Sequence, residues 1–196
     1  MISVFGAKPA DALLVPEIPL AVRNNCKFGQ WMIGDTSYGA KCSMTVLKFS
    51  KFFGDLGLTS ETLWAQLWFV AESGDLPKGV VMVTYLKTQS LRDFNRLVIE
   101  IQSRGIEPAT GLFIPTFTNY KGEEGPYFAL TWEWKERENY ETLEQAADVL
   151  ANPEVRSNLY DLEGTQNMVC LDHSSKEEIK ALTESKPALA AAEMPY

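Results

Sequence analysis

Apolar and polar residues alternate along much of residues 21–137, which predicts a body built from β-strands. The clearest stretch is KCSMTVLKFSKFF, where Cys42, Met44 and Val46 alternate with polar neighbours and predict one long strand. The alternation slips at Leu47, directly after Val46, and such a slip indicates a β-bulge or a sharp bend. Upstream, FGQWMIGD predicts a shorter strand that ends in the turn-rich GDTSYG.

Two further stretches predict β-hairpins. In the first, LWAQLWFVAE and VVMVTYLKT flank the turn SGDLPKG, although TSETLWAQ could instead open a helix capped by Ser60. In the second, GLFIPTFTNY and PYFALTWEWKE are joined by KGEEG, whose glycines suit a hairpin loop. Pro115 lies inside the first of these strands and therefore indicates an edge strand or a bulge.

One segment has the period of an α-helix. In SLRDFNRLVIEIQSRG, Ser90 is the predicted N-cap, Asp93 stands three residues later, and Gly105 is the predicted stop. Its apolar stripe consists of Leu91, Phe94, Leu97, Val98 and Ile101.

These patterns divide the chain into four segments. Residues 1–20 are rich in proline and predict an extended leader, and residues 21–137 form the predicted β-body. Residues 138–182 form a predicted acidic helical segment that starts with Asn139 as a cap, and residues 183–196 form a predicted flexible tail.

The element order predicts the fold class. Two strands, a hairpin, a helix and two more strands are typical of an OB-fold, a five-stranded, partly open antiparallel barrel. We therefore expect a mainly β protein with α, namely an OB-like barrel body with one internal helix plus C-terminal helices. An antiparallel α+β sandwich is the alternative, because more than five strands can be counted.

Composition argues against most catalytic classes. The three cysteines include no CxxC pair, and His173 is the sole histidine, so we expect neither a metal site nor a disulfide framework. Glycine-rich nucleotide motifs are also missing, and we therefore expect no cofactor and no enzymatic activity. No apolar run is long enough to cross a bilayer, and the N-terminal stretch lacks a basic lead, so we expect a cytoplasmic protein.

Charge is distributed unevenly along the chain. The formal net charge is −8, and nearly all of it arises in residues 138–196, since residues 21–137 carry almost equal numbers of basic and acidic side chains. A near-neutral body beside an acidic tail remains compatible with a polyanionic ligand.

The chain resembles the single-stranded DNA-binding proteins of bacteria and their phages. The resemblance is carried by the element order over residues 28–137, by the net-acidic segment that follows, and by the terminus Glu193-Met194-Pro195-Tyr196. Proteins of that family usually end in an acidic run followed by an aliphatic residue, proline and phenylalanine, which dock replication and repair proteins. Here KPALAAAE replaces the acidic run, as would fit a divergent phage or plasmid relative. The resemblance implies partner docking through Glu193, Met194, Pro195 and Tyr196, and a homo-oligomer.

Sequence-independent binding of single strands needs flat side chains for stacking and cations for phosphates. The apolar face of PYFALTWEWK, with Phe128, Leu130, Trp132 and Trp134, is predicted to be core. The candidates for nucleic-acid contact are instead aromatic and basic residues on mixed faces or strand ends: Lys48, Phe49, Lys51, Phe52, Tyr85, Lys87, Tyr120, Lys121, Tyr127 and Lys135.

The predicted function is therefore non-enzymatic binding of single-stranded DNA. Two alternatives remain open at this point. One is a structural or protein-interaction module of a phage or plasmid assembly, and the other is a carbohydrate-binding module, since tryptophan-rich β-domains also stack sugars.

Overall fold

The computed structural model describes residues 13–16, 20–123, 125–151, 168–172, 175 and 177. This part of the chain is mainly β, with few helices, and its sheet curls strongly into a half-barrel. The strands are β1 Leu20–Asn25, β2 Gln30–Ile33, β3 Thr36–Gly39, β4 Cys42–Leu56, β5 Thr59–Gly74, β6 Val81–Lys87, β7 Leu112–Gly122, β8 Gly125–Lys135 and β9 Met168–Cys170. The helices are α1 Thr88–Ser103 and α2 Glu141–Ala151, and Pro108–Thr110 forms a 3-10 turn.

The sheet has the strand order β3-β2-β1-β6-β5-β4-β7-β8, with β9 paired to β4 off this path. Strands β4, β5 and β6 form a continuous antiparallel meander, and β7 and β8 form the second predicted hairpin. Strand β1 pairs with β6 in the parallel sense, through Leu20 with Met82 and Ala21 with Val83. The two hairpins are thus confirmed, and β5 excludes the helix that Ser60 could have capped.

The predicted irregularity in β4 is confirmed as a bulge. The register against β5 shifts between Val46 and Lys48, which leaves Leu47 without a directly paired residue. Before the bulge, Met44 and Val46 point into the main core, whereas after it Phe49 does so. Leu47 follows the ordinary alternation and packs on the opposite face of the sheet, and the bulge then shifts the alternation so that Phe49 points inward.

The main hydrophobic core lies between the concave face of the sheet and α1. Leu91, Phe94 and Ile101 of α1 pack there against β-strand residues such as Met44, Leu67 and Phe113. Leu130 and Trp132 are also buried in this core, and Trp134 packs against it, which confirms the predicted core face of β8.

A smaller cluster covers the convex face. It contains Trp68, Val70, Val81 and Val83, and partly buried Leu13 and Val15 pack against it. The segment that contains Leu13 and Val15 runs along the edge of β6, since the Leu14 amide donates to the Gly79 carbonyl at 2.9 Å. The described part of the predicted leader is therefore extended and packed on the body.

Helix α1 begins earlier than its sequence pattern predicts. Lys87 occupies the N-cap position without a side-chain capping bond, so the assignment of Ser90 as the N-cap is wrong. Ser90 is buried within the helix, where its hydroxyl accepts a hydrogen bond from the Leu130 amide at 2.9 Å. This contact supplies a partner for a backbone N–H on the outer edge of β8. Leaving that buried N–H unpaired would cost more than leaving the end of a solvent-facing helix uncapped, because water can solvate the latter. At the other end, Gly105 has a φ of +74° and follows the last helical turn, as predicted.

Strand β7 lies between β4 and β8 in the sheet, so the edge strand that Pro115 indicated is not observed. Its ladder with β8 is complete, with Pro115 opposite Trp132, but its pairing with β4 is confined to Phe113 opposite Met44. A proline is tolerated at such a position because no neighbouring strand requires its missing amide.

Three strands were not predicted from the sequence. GDTSYG contributes strand β3 in addition to a turn, and β1 precedes the first predicted strand. Strand β9 lies in the segment predicted to be helical, and for its three residues that prediction is wrong, because they pair with Phe52, Phe53 and Gly54 of β4.

Helix α2 confirms the start of the acidic helical segment. The Asn139 side chain accepts a hydrogen bond from the Glu141 amide at 2.8 Å, as expected for a cap. The helices predicted beyond residue 151 and the terminal Glu193, Met194, Pro195 and Tyr196 lie outside the described residues. None of the described helices is long and apolar enough to cross a membrane.

Candidate nucleic-acid interface

Tyr120 and Tyr127 form a stacked pair beside the tip of the β7–β8 hairpin. They are directly opposite each other in the ladder, and their ring centroids are 5.8 Å apart at an interplanar angle of 24°. Both side chains are half-buried, so part of each ring faces outward. The exposed Lys121 follows Tyr120 at the hairpin tip. The structure therefore brings together three of the predicted contact residues.

The first turns of α1 hold this tyrosine pair in place. The Tyr120 hydroxyl donates to Asp93 Oδ2 at 3.3 Å, and the Gln89 side chain donates to the same oxygen at 2.9 Å. Burial and the charge of Asp93 raise the pKa of Tyr120, so the phenol stays protonated and donating. Asp93 also pairs with Arg96, whose exposed guanidinium lies 3.2 Å away. The pair thus has a fixed geometry and a cation at its side.

A second exposed aromatic, which the sequence reasoning missed, comes from the β1–β2 turn. Phe28 is 62% exposed, and the Lys27 ammonium lies 5.5 Å from the centre of its ring. The turn is anchored to the start of β8, because the Phe128 amide donates to the Cys26 carbonyl at 2.7 Å. We name the resulting group the tyrosine surface: Lys27, Phe28, Arg96, Tyr120, Lys121 and Tyr127.

Tyr85 and Lys87 lie on the convex face of β6 and are engaged in the fold. The Gln66 side chain donates to the Tyr85 hydroxyl at 3.0 Å and accepts from the Trp68 indole at 2.7 Å. Burial raises the pKa of Tyr85. The Lys87 ammonium donates to Thr59 at 2.7 Å and lies 5.2 Å from the Trp64 ring centre. Both residues are half-buried. Tyr85 packs against the cluster on the convex face, which leaves less of its ring open for a base to stack on.

Phe49 and Phe52 do not offer faces for base stacking. Phe52 is buried, which contradicts its prediction as a contact residue. Phe49 stacks on Phe94 of α1, with centroids 5.4 Å apart, and packs against the main core. The bulge at Leu47 explains the position of Phe49, because it shifts the alternation so that Phe49 points inward. Phe52, in contrast, is buried where β4 pairs with Trp64 of β5 and Cys170 of β9. The Lys51 ammonium remains near the Phe49 ring, at 5.7 Å from its centre.

Lys48 and Lys51 lie beside the seam between β4 and β9. The Lys51 amide donates to Asp172 Oδ1 at 2.8 Å, and the Lys51 carbonyl accepts from the Leu171 amide at 2.8 Å. Burial lowers the pKa of the half-buried Lys48, and the nearby charges of Asp172 and Cys170 oppose that shift. These two cations are therefore flanked by the chain's own C-terminal segment.

Lys135 lies at the far end of β8 from the tyrosine pair. It is exposed and sits opposite Leu112, eight residues along the strand from Tyr127, which at about 3.4 Å per residue is a separation of roughly 27 Å. The neighbouring Arg137, in contrast, is buried, and Glu72 pairs with its guanidinium. Lys135 is available as a cation but is not part of the tyrosine surface.

The described residues provide side chains for neither of two other kinds of site, a metal site and a reactive buried thiol. They contain no cluster of histidine, cysteine and carboxylate side chains that could hold a metal ion. Burial raises the pKa of the Cys42 thiol to about 12, so this thiol stays protonated at neutral pH. What the arrangement can do is stack flat groups between basic side chains.

Comparisons with known proteins give no relative from which a function could be inferred. No protein-family model matches the chain, and no significant match is found among curated proteins or solved structures.

Proposed function

We propose that this protein binds single-stranded DNA without catalysis, by stacking bases on the tyrosine surface. The observation that carries the proposal is the parallel Tyr120–Tyr127 pair, which is half-exposed and held by Asp93. A rigid aromatic pair loses little conformational freedom when a base stacks on it, and stacking contributes about 1–3 kcal/mol per base. Phe28, exposed in the adjacent turn, supplies a further stacking face.

Phosphates would be held by the cations of the same surface. Lys27 lies over the Phe28 ring, and Lys121 follows Tyr120 in the strand. Arg96 pairs with the Asp93 that holds Tyr120, and all three basic side chains are exposed. Three such contacts to a single strand imply that log Kd changes by about 2 per unit of log salt concentration. Lys48, Lys51, Lys87 and Lys135 extend the basic path along the β-body in this proposal.

The finer fold assignment belongs to the same proposal. The long strands have the order β6-β5-β4-β7-β8, and α1 lies between β6 and β7 in the chain. This order supports an OB-like barrel, with β1 and its parallel pairing as an addition at one side. In OB-folds the second and third strands and the loops after the first and fourth strands bind oligonucleotides. The loop after the fourth long strand is here the β7–β8 tip, which carries Lys121.

The deciding experiment is a titration of a dye-labelled oligo(dT) with the purified protein, followed by fluorescence anisotropy. Tryptophan quenching is a weaker readout, because Trp31, Trp64, Trp68 and Trp132 are buried. We expect saturable binding that weakens with salt at a slope of about 2. Duplex DNA of the same length and a neutral oligosaccharide serve as competitors. Absence of binding at low salt would refute the proposal, and competition by the sugar alone would favour the carbohydrate-binding alternative.

A further inference from the structure

Strand β9 is held on β4 by a short ladder. Its three residues pair with Phe52, Phe53 and Gly54, and the side chains of Val169 and Cys170 are exposed. The buried anchor is Leu171, which is 5% exposed and donates its amide to the Lys51 carbonyl. So short a strand, with one buried side chain, is at the low-stability end of the structure.

Asp172 brings a carboxylate to the basic stretch of β4. Its Oδ1 accepts the Lys51 amide at 2.8 Å, and its negative charge acts on the half-buried Lys48. A phosphate that approached Lys48 from this side would meet that carboxylate, and the two anions would compete for one cation.

We infer that residues 168–172 form a displaceable latch, whose pairing with β4 keeps Lys48 from contacting the phosphates of bound nucleic acid. This inference rests on the proposed function. The latched protein binds single strands through the tyrosine surface and through cations other than Lys48. Release of the latch adds the phosphate contact at Lys48 and frees the edge of β4.

A reversible cross-link can hold the latch closed. Phe52 and Cys170 are directly opposite each other, and the next pair, Lys51 with Leu171, carries the backbone hydrogen bond. Phe52 and Cys170 therefore form a non-hydrogen-bonded pair, in which side chains are close enough for a disulfide. Phe52→Cys would bond to Cys170 under oxidation and release it under reduction, so that one protein serves as its own comparison.

The experiment measures oligo(dT) affinity and its salt dependence for the oxidised and reduced Phe52→Cys protein. We expect the oxidised form to bind about two- to fivefold more weakly, with a salt slope smaller by about 0.7, and reduction to restore both. The double variant Phe52→Cys/Cys170→Ser cannot form this bond and should not respond to oxidation. Adding Lys48→Gln to Phe52→Cys should remove the difference between oxidised and reduced protein.

A second variant keeps the test independent of the Phe52 substitution. Asp172→Asn removes the competing charge and should tighten oligo(dT) binding about two- to fivefold. If every form binds oligo(dT) but oxidation and Asp172→Asn change neither affinity nor salt slope, the latch is overturned and the proposed function stands. If no form binds, both are overturned.

Discussion

Buried Arg137 and partly buried Glu72 form an ion pair that links β4, β5, the 3-10 turn and α2. Nη1 of Arg137 lies 3.0 Å from Oε1 of Glu72, and the arginine side chain is 1% exposed. The remaining guanidinium donors reach the hydroxyl of Thr45 in β4 and the carbonyls of Thr110 and Gly111 before β7. Through Glu72 the network also includes Thr142 of α2, whose hydroxyl donates to Oε2 at 2.9 Å.

Replacing Glu72 by leucine should therefore destabilise the whole body. The change leaves the guanidinium buried without its counter-charge, and removing one partner of such a pair typically costs about 3 kcal/mol. We expect the free energy of unfolding, measured in urea, to fall by about that amount. Glu100→Gln is the matched control, because it removes an exposed carboxylate that pairs with Arg104 on the surface, and it should change stability by less than about 0.5 kcal/mol. Equal effects of the two variants would contradict a structural role for the Arg137–Glu72 pair.

Gly74 marks the point where β5 leaves the sheet, and its substitution should be poorly tolerated. Its φ is +100°, and a Cβ added there would overlap the Lys41 carbonyl. We expect Gly74→Ala to lower the thermal midpoint strongly. Gly57→Ala, at a φ of +60° in the β4–β5 turn with no neighbour within 4 Å, should cost only about 1 kcal/mol of backbone strain. Equal midpoints for the two variants would show that the Lys41 contact does not limit packing.

Local pattern was sufficient to predict the long strands, both hairpins, the bulge at Leu47 and the body of α1. These features depend on side-chain period and turn chemistry within a short window. The parallel pairing of β1 with β6 and the docking of β9 on β4 join residues far apart in the chain, and no local signal encodes them. The role of Ser90 was missed for the same reason, since its partner, the Leu130 amide, belongs to a later strand.

The three cysteines should differ sharply in reactivity. Cys170 is exposed, Cys26 is half-buried and Cys42 is buried. Burial raises the pKa of Cys26 and raises that of Cys42 to about 12, so neither offers much thiolate at pH 8. We expect alkylation of the native protein, followed by mass spectrometry, to modify Cys170 first and Cys42 only after unfolding. Early modification of Cys42 would contradict the packing of the first residue of β4.

The same Cys42 pKa implies a loss of stability in alkaline solution. In the unfolded chain the thiol titrates near 9.0, whereas in the folded protein its pKa is about 12. Between these values the unfolded state binds fewer protons, so stability falls as the pH rises through this window. The Cys42→Ala variant lacks this contribution, and its unfolding free energy should fall less between pH 8 and pH 10. Parallel curves for the two proteins would place the alkaline sensitivity elsewhere.

The candidate interface was predictable only in part. Tyr120, Lys121 and Tyr127 were found because they adjoin a hairpin loop, and the structure places them together. The prediction for Phe52 was wrong because this residue is buried where β4 pairs with Cys170 of β9, and no local pattern indicates a pairing between residues so far apart in the chain. Phe28 was missed because the sequence pattern places it at the start of the predicted strand FGQWMIGD. In the structure it lies in the β1–β2 turn, where its ring is exposed.

Phe28 should contribute to oligo(dT) binding despite its distance in sequence from the tyrosine pair. Phe28→Ser removes an exposed ring and leaves the turn anchored through the Cys26 carbonyl, so the fold should be unaffected. Loss of one stacked base predicts binding weaker by about fivefold or more in the anisotropy titration. Ile106→Ser is the control, because it removes an exposed apolar side chain from the loop after α1, outside the tyrosine surface. A similar loss for both variants would point to general surface hydrophobicity.

The sharpest test of the tyrosine surface separates the rings from the hydroxyl that positions them. Tyr127→Leu removes one of the stacked rings and should weaken oligo(dT) binding about fivefold or more, since a base loses its stacking partner. Tyr120→Phe keeps the ring but loses the hydrogen bond to Asp93, so a smaller loss is expected.

Tyr140→Leu supplies the matched control for these two variants. Tyr140 is 44% exposed and lies before α2, outside the tyrosine surface, so its removal should leave oligo(dT) affinity unchanged. Circular dichroism would confirm that all three variants fold. If Tyr127→Leu and Tyr140→Leu bind as tightly as the original protein, the stacked pair is a structural feature of the hairpin. Any DNA binding would then have to rest on the cations, and its affinity would fall with salt without depending on either ring.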